Sequence, residues 1–282
     1  ARQYGKTTTL TGLAKALNED YIVISLDFQV LGSASLQNEN IFSLAFLQVF
    51  LREMKRHRIL ELPDMDKVGA EMQKALSAKE ERFDLLSLFE YLLNVCECAP
   101  KPVVLMIDET DSASNNQVFL DFLAQLRSYY LERDIKGTSV FHSVILAGVY
   151  DIKNLKRKLR SDEEHKINSP WNIAADFLVD MSFSAADISS MLKEYETDYH
   201  TGMNIGQIAE LLYEYTAGYP YLVSRLCKLL DEQIAGSEEF PTKSTAWTKE
   251  GFLKAIRSLI SEPNTLFDSL INKLADYPEL DI

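Results

Sequence analysis

An α/β fold is predicted, with a parallel sheet sandwiched by helices and a smaller, mainly helical domain after it. Three observations carry this. Short aliphatic, β-branched runs alternate with helix-period segments through residues 1–171, the signature of parallel strands joined by helical crossovers. From about Asn172 onward only helix-period segments follow. The chain also opens on Gly5-Lys6-Thr7, the second half of the pattern G-x-x-x-x-G-K-[S/T], placed directly before its first helical face.

The elements follow in order. After Thr7, apolar residues at 10, 13, 14 and 17 make one face of a helix that Asn18-Glu19-Asp20 ends. Tyr21 to Phe28 is a short run that reads as a buried parallel strand. Phe42 to Arg58 is helical, with a cationic end at Arg52, Lys55, Arg56 and Arg58, and Leu85 to Cys96 is helical again. Pro100-Lys101-Pro102 punctuates the chain before a second buried strand, Val103-Val104-Leu105-Met106-Ile107, which ends in Asp108-Glu109. Gln117 to Arg133 is an amphipathic helix, and Ser143 to Val149 a third buried strand ending at Tyr150-Asp151. The stretch 151–171 is a crossover. Helices are then expected over Ser184–Tyr195, Ile205–Thr216, Tyr221–Ala235 and Lys249–Ser261, with Ser182 or Ser184 and Asp187 at an N-cap. The expected domains are 1–171 and 172–282.

In parallel sheets ligands sit beyond the carboxyl ends of the strands. Asp27, Asp108, Glu109, Tyr150 and Asp151 all fall there. That shared edge is a stronger pointer than any one motif.

Composition narrows the classes. A hydrophobic share of 46% with 25% charged residues is ordinary for a soluble globular chain, and its length suits a core plus a smaller domain. No apolar run approaches a membrane span, and no secretory pattern opens the sequence. A net charge of −13 argues against a broadly basic nucleic-acid surface while leaving room for a local patch. Three cysteines, two of them as Cys96-x-Cys98, form neither a disulfide framework nor a zinc pattern, which points to reduced thiols in a cytoplasmic protein. The four histidines lack ligand spacing.

The front of the chain has the chemistry of a phosphate cradle. Successive backbone N–H groups and a helix N-terminus attract an anion. Gly5 lets the backbone approach, Lys6 reaches the β/γ-phosphates, and the Thr7 hydroxyl helps hold Mg²⁺. The pattern's first glycine falls one position before Ala1. The sequence is therefore expected to be part of a longer protein whose preceding residues supply the loop's leading strand. Asp108 suits Mg²⁺ through its water shell, and Glu109 suits a role near the γ-phosphate, orienting or deprotonating the attacking water.

Arg2-Gln3-Tyr4-Gly5-Lys6-Thr7-Thr8 resembles the R-Q-x-G-K-T loop of AAA-like P-loop ATPases of bacteria and archaea, in the additional-strand, catalytic-glutamate (ASCE) division. Val103 to Glu109 resembles their Walker B motif and Val144 to Tyr150 their sensor-1 strand. Thr216-Ala217-Gly218-Tyr219-Pro220-Tyr221-Leu222 is similar to the G-x-P signature in the lid of STAND-type relatives, and Ser169 to Phe183 to AAA-ATPase-like proteins that often carry a PD-(D/E)XK nuclease domain. The resemblance implies a P-loop core over 1–171 and a helical lid over 172–282, for which a winged-helix arrangement is one form. It implies ATP and Mg²⁺ as ligands. Gln3, Tyr4, Gly5, Lys6, Thr7 and Thr8 become nucleotide contacts, Thr7 and Asp108 metal contacts, and Glu109 with Lys6 the catalytic pair. Tyr150 becomes a further nucleotide contact at the sensor-1 end, which it shares with Asp151 and where AAA proteins more often use Asn, Ser, Thr or Arg. Pro220 and Tyr221 lie near the base. Arg127, Arg133, Arg157 and Arg160 all remain candidates for an arginine finger.

The main functional expectation is Mg-dependent ATP hydrolysis driving a conformational switch. The rival is a nucleotide-gated scaffold with little hydrolysis, coupled to a nuclease or other effector domain or to a protein partner. A homo-oligomer would allow a neighbour to supply the finger. The cationic stretch Lys153, Lys156, Arg157, Lys158 and Arg160 is either a solvated helix face or an anion-facing patch. A DNA-directed motor is disfavoured by the charge, and a P-loop kinase by the lack of an acceptor motif. Tyr213, Tyr215, Tyr219 and Tyr221 read as core aromatics.

Overall fold

The computed structural model describes residues 4–78, 82–114, 116–148, 175 and 179–262. The chain divides into two compact units, one of Ala1–Arg2 and Lys6–Leu178 and the other of Gln3–Gly5 and Val179–Ile282.

The first unit is built on a three-stranded parallel sheet in the order β1-β2-β3, with β1 at Ile22–Asp27, β2 at Val103–Asp108 and β3 at Ser143–Leu146. Register aligns Ile24 with Leu105 and Asp27 with Asp108, so β1 and β2 end on the same line. On the other side Leu105 faces Val144 and Ile107 faces Leu146. Central β2 is buried along its whole length, whereas β3 is half-buried throughout.

Side chains alternate across the pleat, and the two faces are dressed differently. Ile22, Ile24, Leu26, Val103, Leu105, Ile107, Val144 and Leu146 face the large core. There they meet helices α2 (Glu39–Arg56), α3 (Met65–Ala78), α4 (Leu85–Cys98) and α5 (Gln117–Lys136). Phenylalanines dominate this layer: Phe46 and Phe122 lie 4.7 Å apart between ring centres, and Phe28 and Phe119 5.5 Å. Val23, Val104 and Met106 face the opposite way, toward Leu10, Ala14 and Leu17 of α1 (Lys6–Leu17) and toward Tyr21. Three of the four apolar positions expected on α1 thus pack on the sheet, and Leu13 stays more exposed, at 37%.

Helix starts obey ordinary capping. Asn38 Oδ1 accepts from Ile41 N at 2.9 Å and Asp84 Oδ1 from Ser87 N at 3.0 Å. The Ser87 backbone N–H, followed by its hydroxyl, holds the Asp84 carboxyl below its usual range. Burial against the core pushes the half-buried Cys96 thiol up to about 12, which keeps it in the unreactive protonated form.

The described part of the second unit is helical: α6 (Ala185–Tyr199), α7 (Ile205–Thr216), α8 (Pro220–Leu229), a π-helical turn (Leu230–Ile234), α9 (Lys243–Ala246) and α10 (Lys249–Ser261). Ser184 and Asp187 form the expected capping box at α6. A separate apolar core joins Ile188, Leu192, Leu212, Val223, Leu226, Trp247 and Phe252. At its rim the Tyr195 hydroxyl donates to Asp231, and Lys243 Nζ lies 2.5 Å from the same carboxylate oxygen. The Glu196 carboxylate closes the α6–α7 turn by accepting from Thr201 Oγ1 at 2.5 Å and Gly202 N at 2.6 Å. No strand occurs among the described residues of this unit, so they contain no winged-helix wing.

Several element ends shift by a few residues from the sequence expectation, and two larger departures stand out. Helix α3 falls in a stretch to which no element was assigned, although Met65, Val68, Met72 and Ala75 are its buried stripe. The expected single helix over 221–235 is α-helical only to Leu229 and then widens into the π turn.

Gly218 has the closest backbone approach among the glycines of the second unit. It has φ +72°, and a Cβ there would lie 1.9 Å from the Phe183 carbonyl oxygen. Phe183 N donates back to Gly218 O at 2.8 Å, so the two segments are locked backbone to backbone. The left-handed conformation alone costs a non-glycine residue about 1–2 kcal/mol, and the overlap adds to it. Gly218→Ala is expected to lower the thermal unfolding midpoint by several degrees, at roughly 2–8 °C per kcal/mol. A calorimetric midpoint equal to wild type would contradict the close approach.

Candidate functional site

The carboxyl edge of the sheet brings together Asp27 and Asp108 at aligned strand ends, with Glu109 directly after. Asp108 closes the most buried strand, and the residue is 8% exposed. A buried charge needs partners. Asp108 has them: Thr7 Oγ1 donates to Oδ2 at 2.6 Å, and the Glu109 backbone N–H donates to Oδ1 at 2.9 Å. The first is a short, charge-assisted O–H···O⁻ bond that spans 101 residues of sequence. It fixes the first turn of α1 against the end of β2.

Gly5 precedes that turn with φ +71° and nothing within 4 Å of an added Cβ, so conformation rather than space calls for glycine. Lys6 is the first residue of α1 and half-buried, while Thr7 and Thr8 are exposed. No acidic residue occupies the first turn, which leaves the positive end of the helix dipole without an internal counter-charge.

Glu109 is half-buried, at the N-cap of a 3₁₀ turn (Thr110–Ser112), with φ 55° and ψ 40°. A non-glycine residue pays about 1–2 kcal/mol for that left-handed backbone. The turn after it is anchored on both sides. Thr110 N and Thr110 Oγ1 both donate to Ala147 O, each at 3.1 Å, just past β3. Ser112 Oγ lies 3.2 Å from Phe28 O, just past β1, and 2.9 Å from Glu109 O. Among the described residues no bond to the Glu109 carboxylate or the Lys6 ammonium is found.

Sequence-selected residues thus divide into three groups. Lys6, Thr7 and Thr8 on α1 and Asp108 and Glu109 at the end of β2 belong to the first unit, and Thr7 and Asp108 touch. Asp27 shares the edge but is exposed and accepts from Gln29 N at 2.8 Å, capping its own 3₁₀ turn. Tyr4 and Gly5 group with the second unit, where the Tyr4 ring meets Tyr219 edge-on at 4.6 Å. Pro220 is the first residue of α8 there, where its missing N–H costs nothing. Gln3, Tyr150, Asp151, Arg157, Arg160 and the rest of the cationic stretch lie outside the described residues. Of the remaining finger candidates, Arg133 lies 3.8 Å over the Tyr130 ring.

Thr110, Ser112 and Gly148 escaped the sequence reading. Thr and Ser after an Asp-Glu pair carry no periodic signal, and Gly148 gains meaning only beside Thr110, whose Oγ1 would lie 2.5 Å from an added Cβ.

Hard oxygens dominate the donor set at Asp108 and Thr7, which suits Mg²⁺. Among the described residues no group of three or more His, Cys, Asp or Glu could form an all-protein metal cage. That fits a cation held by one carboxylate, one hydroxyl, water and a ligand's phosphates.

Comparison with known proteins adds the family. No curated protein matches the chain. Among solved structures the chain is similar to Cdc6p from Pyrobaculum aerophilum, with 12% sequence identity and a TM-score of 0.46. That similarity covers 80% of this chain and 52% of the other, so the chain spans about half the length of that protein's chain. No helix among the described residues is long and apolar enough to cross a membrane. The model of the AAA-like domain matches residues 1–254, most of the sequence, and the chain belongs to that AAA-like domain family.

Proposed function

We propose that this protein binds Mg-ATP at the carboxyl edge of its sheet and hydrolyses it, and that nucleotide state sets a conformational switch. The observation that carries the reading is the 2.6 Å bond from Thr7 Oγ1 to Asp108 Oδ2. It joins the helix that opens on Gly-Lys-Thr to the strand end that carries Asp-Glu, the two halves that phosphoryl transfer requires. Membership of the AAA-like family, whose members generally bind ATP with Mg²⁺, supports the same ligands.

In this reading the α1 N-terminus and Lys6 bind the β/γ-phosphates, and their positive charge offsets the negative charge that develops during transfer. Thr7 and Asp108 would hold Mg²⁺, which supplies charge neutralisation on the phosphate oxygens when bound. Glu109 orients a water in line with the γ-phosphorus and accepts its proton as the new O–P bond forms. The bond from the γ-phosphorus to the bridging oxygen breaks, releasing ADP and phosphate. The helical second unit, which carries the Gly218-Tyr219-Pro220 turn, would serve as the lid that responds to nucleotide state. Effector, protein partner and subunit assembly would read the lid setting, a hinge-type output.

Phosphate release from Mg-ATP, followed at several protein concentrations, tests this. Turnover is expected with Mg²⁺ and is expected to vanish on chelation with EDTA. A rise in specific activity with protein concentration would place the finger arginine on a neighbouring copy. Binding without turnover would make the protein a nucleotide-gated module, and failure to bind ATP would refute the reading.

A further inference from the structure

We infer that Thr110 is a positioning residue for Glu109, transmitting the position of the β3 end to it. The inference rests on the proposed role of Glu109 in orienting water. Glu109 occupies a backbone region that a side chain disfavours, so something must hold it there. On its N-terminal side the holder is Asp108, whose Oδ1 accepts from Glu109 N at 2.9 Å. On its C-terminal side the holder is Thr110, which is 2% exposed and spends both of its donors on one acceptor, Ala147 O.

That acceptor belongs to the β3 end itself. Ala147 N donates to Ile107 O at 2.8 Å, so its peptide is already tied to β2 one residue before Asp108. A closed circuit results, running from Ile107 through Asp108, Glu109 and Thr110 to Ala147 and back to Ile107. A shift of the β3 end pulls on Thr110, and Thr110 is bonded directly to Glu109. Room for the circuit comes from the next residue, Gly148: a Cβ there would lie 2.5 Å from Thr110 Oγ1 and 3.1 Å from Asp111 Oδ1. Ser112 provides a second anchor toward β1, so the turn is gripped by both neighbouring strand ends, with Thr110 holding the β3 side.

A hydroxyl that merely stabilised the fold would affect binding and turnover alike. A positioning hydroxyl predicts a split. Thr110→Val keeps the shape and the backbone N–H but removes the side-chain donor. It is expected to lower kcat for Mg-ATP about tenfold, the scale of one lost hydrogen bond, with KM changed less than about twofold. Thr110→Ser, which restores the donor, is expected to return kcat to within about twofold of wild type. Gly148→Ala attacks the same bond from the other side and should reproduce the kcat loss, which keeps the test alive if Thr110→Val folds poorly. Crystal structures of the variants give a readout apart from turnover: Glu109 should leave its positive-φ backbone in Thr110→Val and keep it in Thr110→Ser. Unchanged kcat in Thr110→Val, alongside an active wild type, overturns the inference while leaving the hydrolysis reading intact. An inactive wild type defeats the hydrolysis reading alone, and the Glu109 backbone then decides, since a φ still near +55° in Thr110→Val overturns the inference.

Discussion

Lys6→Ala is expected to abolish nucleotide binding at micromolar concentrations. Lys6 is the first residue of α1, whose first turn has no acidic residue. Nothing among the described residues competes with a phosphate for it. Each charge-assisted hydrogen bond contributes about 1.5–3 kcal/mol, and contacts to two phosphates would be lost together. The affinity for Mg-ATP should therefore fall by roughly 10²–10⁴-fold. The fold should not suffer, because alanine is the best helix former and Lys6 has no described partner to strand. Calorimetric titration of the variant, with circular dichroism confirming native helix content, makes the measurement. A dissociation constant within about threefold of wild type would remove Lys6 from the site.

Glu109→Gln is expected to separate binding from chemistry. The amide keeps the length and hydrogen-bonding reach of the side chain, and the backbone keeps its Asp108 and Thr110 anchors. What disappears is the carboxylate that would accept a proton from water. General-base catalysis contributes typically about 10²–10⁴-fold, so turnover should drop by that much while the affinity for Mg-ATP stays near the wild-type value. Single-turnover phosphate release beside equilibrium binding resolves the two. Equal turnover in wild type and Glu109→Gln would sink the assignment. The two substitutions act on different steps, so lost binding in Lys6→Ala beside retained binding without turnover in Glu109→Gln is the signature of the proposed site.

Much of the first unit was legible because its signals are local. The runs around Ile24, Leu105 and Val144 are strands in the same order along the chain, and their parallel pairing follows from the helices between them. Asp108-Glu109 stood out for the same reason, as two carboxylates directly after five aliphatic residues. Capping at Ser184 and Asp187 was readable from spacing alone. Helix α3 was harder: Pro63 and Asp64, both turn-forming residue types, stand directly before it, and Gly69 interrupts its stripe with a poor helix former. The π turn after Leu229 was hidden because it preserves an apolar helical pattern while changing only the backbone bonds.

By itself the sequence determined the identity of the strands, most of the face by which α1 packs on the sheet, and the residue types of the proposed phosphate and Mg²⁺ site. These depend on period-2 and period-3.6 patterns and on short motifs, which neighbouring residues encode. Tertiary structure alone decided that Thr7 bonds to Asp108 across 101 positions, that Glu109 takes a left-handed backbone, and that Thr110 and Gly148 meet at the β3 end. Those contacts join segments far apart along the chain. Each exists only because the packed sheet sets its strand ends on one edge, and no local pattern records which donor will find which acceptor there.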